Sequence, residues 1–256
     1  MRNIKLTIEY DGTHFEGWQI QTRNNRTVQG EIRKALKKIF KEEFTFIGAG
    51  RTDSGVHAVG QVANFKTNSK MPIEEIQRAL NGNLPFDISI LKVEEVSLNF
   101  HSQFDAQGKI YRYTILNRKA PSAVERNFCL HYPYKLNLSL MKKEAKALIG
   151  KKDFRSFTAK NAPAEEFKTK NTIRTLKRIS IKKEGNFIFV DIEADGFLYK
   201  MVRNIVGTLL EIASSQLPPQ SIKKILKKKD RSYAGTTAKA KGLCLLEVKY
   251  SAHHRP

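Results

Sequence analysis

Segments that alternate apolar with polar residues set the tightest limit on what this chain can fold into. Ile4–Tyr10 (IKLTIEY) alternates almost from the first residue. A strand pattern returns at Val59–Phe65, Ile88–Val96, Lys109–Asn117, Ile173–Ile181, Phe187–Ile192 and Gly242–Tyr250. A period of two predicts half-buried strands. Between the early strands, Ile32, Leu36, Ile39 and Phe40 make a helical stripe. Thr27 is its N-cap, and Gly30 stands where a capping box would carry an acid. A second helix begins near Met71-Pro72, with Glu74 and Glu75 in its first turn, Ile76, Ala79 and Leu80 facing a core, and Gly82 at its end. Up to Val96 the order is β-α-β-β-α-β.

The second half is expected to repeat that order. After the strand at Lys109–Asn117, with Tyr111, Tyr113 and Ile115 on one side, comes a connector rich in Pro, Tyr and polar residues from Arg118 to Leu138. A short basic helix spans Leu140–Ile149, and a polar loop with little apolar periodicity runs through Thr172, where motion is expected. A hairpin turns at Glu184-Gly185-Asn186, an apolar helix lies within Phe197–Ser214, and the amphipathic IKKILKKK follows. The pattern predicts an α+β fold of two duplicated halves with antiparallel sheets, 1–106 and 107–256, divided near Gln107-Gly108.

Charge points to the partner. Forty-six Lys and Arg against 25 Asp and Glu leave +21, more than solubility requires, and imply a polyanion, RNA or DNA ahead of an acidic membrane. Forty per cent hydrophobic residues, 15 of them Phe, argue against a disordered basic tail. Cys129 and Cys244 form no paired motif, no apolar run is long enough for a membrane span, and the chain enters a strand without a secretory h-region. A cytoplasmic protein is expected. The six histidines make no metal-ligand spacing.

The stretch Gly48–Phe65, GAGRTDSGVHAVGQVANF, is the densest candidate for chemistry. Arg51, Thr52, Asp53, Ser54 and His57 crowd a loop with small residues at its bends. Two readings fit the residue types: a hairpin whose Asp and Thr bond their own backbone, or a catalytic loop. It lacks the Gly-Lys-Ser/Thr ending of a phosphate-binding loop.

With that loop, Tyr10-Asp11-Gly12-Thr13, Gly17-Trp18-Gln19, Thr27-Val28-Gln29-Gly30, Leu84-Pro85, Asp87-Ile88, Phe104, Tyr111, Tyr113, Asp153-Phe154, Met201–Gly207 and Gly242-Leu243 occur in an order that resembles the bacterial tRNA pseudouridine synthase A family. The resemblance spans nearly the whole chain. It implies an isomerase that converts uridine to pseudouridine in the tRNA anticodon arm, typically at positions 38 to 40. It also implies a homodimer without a metal or organic cofactor, and a two-domain fold with the active cleft between its halves.

By the same resemblance Asp53 is the catalytic aspartate and Arg203 its partner. Arg51 reaches into the RNA stack, Tyr111 is the aromatic wall of the uracil pocket, and Leu245 is its apolar side. The basic helix with Lys223, Lys224, Lys227 and Lys228 is read as a phosphate-contacting surface, or else as a solvated face. Two positions depart from the family pattern: Gln103 where arginine is usual, and Lys152 where histidine is usual. These departures leave two alternatives open, a paralogue acting on rRNA or another stem-loop, and a noncatalytic RNA-binding protein on the same fold.

Overall fold

A computed structural model describes residues 1–21, 25–159, 162 and 172–251. In chain order the elements begin with β1 (Arg2–Tyr10), α1 (Val28–Phe40), β2 (Ile47–Gly48), β3 (His57–Thr67), α2 (Ile73–Asn83) and β4 (Ile88–Val96). They continue with β5 (Ala106–Leu116), β6 (Leu130–His131), α3 (Leu138–Lys146), β7 (Gly150–Asp153), β8 (Ile173–Glu184) and β9 (Phe187–Ala194). The last are α4 (Met201–Ala213), α5 (Ser221–Lys228) and β10 (Leu243–Tyr250). The fold is α+β, in two compact units: Met1–Gln107 with Cys244–Pro256, and Gly108–Leu243.

In the first unit β1 pairs antiparallel with β3 (Ile4↔Phe65, Leu6↔Ala63) and with β4 (Leu6↔Val93). The alternation in IKLTIEY buries Ile4, Leu6, Ile8 and Tyr10. β2 adds to β3 through Ile47↔Asn64, which makes the Asp53 loop the connection between two paired strands. α1 opens as the sequence predicts, with the Thr27 hydroxyl accepting from the Gly30 N–H at 3.2 Å. α2 runs one residue beyond Gly82: the Leu84 N–H reaches the Leu80 carbonyl and Asn83 Nδ2 the Ala79 carbonyl, which closes the last turn.

The second unit joins β5 to β9 and β8 to β9 in antiparallel register, with β7 on β8. The expected hairpin turns at Gly185, whose φ of +55° suits glycine. α3 starts earlier than Leu140 because the Asn137 side chain accepts from the Leu140 N–H, and it ends at Lys146, short of Ile149. Most of the polar loop expected before Thr172 lies outside the described residues.

Two features differ from a simple duplication with antiparallel sheets. The second run of elements is β5-β6-α3-β7-β8-β9-α4-α5, with the short strands β6 and β7 added and two consecutive helices. β10, read as the last strand of the second half, pairs with β3 in parallel: Cys244↔His57 and Leu245↔Ala58. β6 is also parallel to β5. Strands joined by a tight hairpin must run antiparallel, whereas one that returns through a long connection can enter in either direction. Among the described residues no helix is long and apolar enough to cross a membrane.

One buried carboxylate sets the position of α5. Glu144, on α3, is almost fully enclosed, and its oxygens accept from the Gln220 N–H at 2.7 Å and the Ile222 N–H at 3.2 Å. These are otherwise unpaired donors at a helix N-terminus, where negative charge is favoured. Replacing Glu144 with Ala should lower unfolding stability by about 1–3 kcal/mol, the cost of leaving buried donors unsatisfied. Urea unfolding should resolve this as a lower midpoint, with Glu144→Gln retaining part of the loss.

Candidate active site

The first-unit site is built on backbone contacts around the β2–β3 connection. Trp18 donates its N–H to the Thr52 carbonyl at 3.1 Å. Gly17, at φ +93°, lies so close that a Cβ there would come within 2.6 Å of the Thr52 oxygen and 3.1 Å of the Ser54 nitrogen. Gly12 is tighter still, with a Cβ position 2.0 Å from the Val56 carbonyl oxygen. From the other side, Ser54 Oγ and the Gly55 N–H donate to the Phe15 carbonyl, and the Val56 N–H closes a turn onto the Asp53 carbonyl. Asp53 is thus a half-buried carboxylate on a backbone gripped at both flanks, and Arg51 just before it is exposed.

Side chains brace the grip. The Tyr10 and Thr52 hydroxyls share a buried 2.7 Å hydrogen bond. Burial pushes the Tyr10 phenol up, against the pull of that bond, so it stays neutral. Trp18 is 1% exposed between the Tyr10 and Phe46 rings, each 6.1 Å away. Gln29 accepts from the Ile20 N–H and donates to the Phe46 carbonyl, which ties the first turn of α1 to the approach into β2. Gln61 donates to the Gly50 carbonyl at 3.0 Å. The Gly12 N–H points at His57 Nδ1, 3.0 Å away. Nδ1 also lies 3.1 Å from Asp11 Oδ1, an ion pair only if the ring is protonated. Burial would raise the Asp11 carboxyl, but its Thr13 hydrogen bonds and the adjacent His57 hold it below the usual range.

Two further segments support the loop. Arg26 forms a fork onto Asp87, at 2.7 and 2.8 Å, and stacks over the Phe15 ring at 4.2 Å. The Asp87 carbonyl accepts from the Asp11 N–H. Ser102 accepts at its carbonyl from the Tyr250 hydroxyl, while its Oγ donates to the Ile47 carbonyl. Beside it, Gln103 is exposed and Phe104 stacks on His101 at 4.2 Å between centroids. Leu245, 1% exposed, is paired with Ala58 of β3.

The second unit carries the other candidates. Tyr111 is 8% exposed on β5, with its ring edge-on to Phe197 at 5.2 Å and 89°. Arg203, in the first turn of α4, donates from Nε to the Ala238 carbonyl at 2.8 Å, and the Ala238 N–H returns a bond to its carbonyl. Gly207 admits the same segment: a Cβ would meet the Thr236 oxygen at 1.7 Å. Asn204 accepts from Thr237 and Arg231 and donates to the Phe157 carbonyl, Thr208 accepts from the Gly235 N–H, and Glu211 accepts twice from Thr236. Lys223, Lys224, Lys227 and Lys228 are all exposed on α5. Among the described residues no group of three or more His, Cys, Asp or Glu is placed to hold a metal ion.

Comparison with known proteins decides what this framework belongs to. The sequence profile described as tRNA pseudouridine synthase matches residues 6–105 and 145–251. A tRNA pseudouridine synthase A of Thermoanaerobacter sp. (strain X514) is 48% identical over 250 residues, covering 98% of this chain and 100% of its own. A tRNA pseudouridine synthase A 2 of Clostridium perfringens matches at the same identity and coverage, and a tRNA pseudouridine synthase A of Moorella thermoacetica is 44% identical over 96% of this chain and 99% of its own. The chain belongs to the tRNA pseudouridine synthase family. It is an RNA pseudouridine synthase, an isomerase that converts uridine of tRNA into pseudouridine.

Seen as a member of that family, the chain's motifs acquire physical reasons. The glycines of Tyr10-Asp11-Gly12-Thr13 and Gly17-Trp18-Gln19 are where two backbones meet the Asp53 loop, and the Met201–Gly207 block is where the 234–238 segment docks. Sequence reading missed Gln61, Asn204, Thr208, Glu211 and Lys109. The first four are polar residues within apolar strand or helix patterns, a signal that was present. Lys109 differs: burial and the neighbouring Arg174 pull its ammonium down to about 8, and nothing in KIYRY announces that.

Gly17→Ala should destabilise the protein by roughly 1–3 kcal/mol, since the new Cβ occupies a left-handed backbone position and the space of the Thr52 carbonyl. Because the displaced atoms adjoin Asp53, single-turnover pseudouridine formation should fall even at temperatures where the variant remains folded. Thermal melts paired with rapid-quench kinetics would measure both.

Proposed function

We propose that the protein acts on a uridine of the tRNA anticodon arm, at positions 38 to 40, with Asp53 as its catalytic carboxylate. Supporting this is Asp53's place: a half-buried acid on a loop held by backbone contacts from Gly12, Phe15, Gly17 and Trp18. The reaction breaks the N1–C1′ bond, turns the base and joins C5 to C1′, while one proton leaves C5 and one is gained at N1. Atoms balance without a co-reactant. The carboxylate acts at C1′, by bonding to it or by balancing the charge that develops there.

The remaining roles follow from chemistry and local environment. Arg51, exposed beside Asp53, enters the space of the extracted base or holds a phosphate. Tyr111, with its orientation set by Phe197, forms the aromatic wall for uracil, and Leu245 contributes apolar surface. Arg203 compensates the charge of Asp53, with its Nε anchored on Ala238. Lysines of the exposed α5 face meet the RNA backbone, in keeping with a net charge of +21. The working form is a cytoplasmic homodimer that uses neither metal nor organic cofactor.

Asp53→Asn should lower the single-turnover rate by roughly 10³-fold or more, while tRNA binding persists. Purified tRNA and rRNA, with site-resolved pseudouridine mapping, provide the assay. Near-normal product from the variant would remove Asp53 from the chemistry, and product in rRNA alone would move the target. At Tyr111 the two expected outcomes separate stacking from proton transfer. Tyr111→Leu should weaken substrate capture roughly 5- to 150-fold, the range of a lost base–aromatic stack. Tyr111→Phe should bind normally, and a slow rate in that variant would assign the hydroxyl a part in the chemistry. RNA affinity, single-turnover rate and melting temperature of the same preparations distinguish these cases.

A further inference from the structure

The basic face of α5 is not uniform. Lys223 and Lys227, one helical turn apart, open onto a pocket of about 460 Å³ that Lys146 at the end of α3, Lys152 on β7 and Lys229 just past α5 also line. Lys224 and Lys228 are not part of it, and the Lys228 ammonium lies over the Tyr233 ring at 5.2 Å. The pocket's one carboxylate is already engaged. Asp153 accepts from the Thr172 hydroxyl at 2.6 Å and the Arg155 N–H at 3.0 Å, and its other oxygen is 3.6 Å from Lys229. Among the described residues no other carboxylate lies within ion-pair distance of these five lysines. Among the described residues, the pocket therefore gathers more positive charge than is neutralised.

Its walls are also braced. Glu144 bonds the first turn of α5 from α3, two residues before Lys146, and Ser156 Oγ donates to the Ile225 carbonyl at 2.7 Å from the segment after β7. Lysines on one flexible face would collect counterions diffusely, whereas lysines from three braced elements concentrate their field in one concavity. We propose that this pocket seats backbone phosphates of the bound tRNA, and that Lys224 and Lys228 stand outside the contact. Lysine suits this task because its rotatable point charge meets phosphate without reading sequence. The inference rests on the tRNA reading above. It adds Lys146, Lys152 and Lys229 to the recognition surface and divides the α5 lysines into two classes.

The test compares Lys146→Gln/Lys223→Gln/Lys227→Gln with Lys224→Gln/Lys228→Gln in the full-length chain, using unmodified tRNA at several salt concentrations. The triple variant should bind at least about tenfold more weakly at low salt, and its log–log salt slope should shrink by about three, one per lost phosphate contact. The double variant should change the slope by less than about one. Both should melt like the wild type. A triple Lys→Arg version should retain the wild-type slope. An unchanged slope in the triple variant, or an equal or larger change in the double, would overturn the pocket. Wild-type protein that forms no pseudouridine in tRNA would instead overturn the functional reading on which the pocket depends.

Discussion

The close approach of backbone to backbone at Gly12 and Gly17 is the constraint on which the Asp53 loop depends. Any side chain there would meet the Val56 or Thr52 carbonyl well inside van der Waals distance. Because those atoms flank Asp53, the glycines determine where its carboxylate sits. The grip is polar as well as steric: the Trp18 N–H on Thr52, the Phe15 carbonyl under Ser54 and Gly55, and the Tyr10–Thr52 hydroxyl pair. A loop that would otherwise sample many conformers is thereby held in one, the preorganisation that the catalytic role proposed for Asp53 requires.

The second unit solves a related problem with side chains. α4 is buried along most of its length, yet it carries Asn204, Thr208 and Glu211 among its apolar residues. Each bonds the 231–237 segment, so the polar residues carry an irregular strip of chain along the helix. That strip ends at Ala238, whose carbonyl and N–H hold Arg203 from both sides. Where these bonds are buried or half-buried, at Asn204 and Thr208, alternative arrangements leave donors or acceptors unsatisfied.

Electrostatics follows the same division of labour between placement and excess. The net charge of +21 draws a polyanion from a distance, but its local effects depend on which cations share an environment. Lys109, buried near Arg174, is pulled to about 8 and so changes protonation within the working range of many enzymes. On α5 the division is geometric: Lys223 and Lys227 share a pocket with Lys146 and Lys152, while the Glu144 carboxylate bonds the helix's first turn.

The sequence by itself determined the strands with alternating faces, the Thr27 cap, the β8–β9 hairpin and the extent of β4, because each is encoded within a few neighbouring residues. It also marked the Asp53 loop and, through spaced motifs, the family to which the chain belongs. Helix ends were less legible: α2 outran Gly82 and α3 began before Leu140, since Asn83 and Asn137 supply side-chain bonds that periodicity does not register. Only the tertiary structure decided that β10 runs parallel to β3, that Gly12 and Gly17 are clasps for residues 52–56, and that Lys223 and Lys227 face a pocket while Lys224 and Lys228 do not. Each of these is a contact between residues far apart in the chain. Local patterning sets which face of an element is apolar, but the partner that covers it is chosen by the packing of the whole.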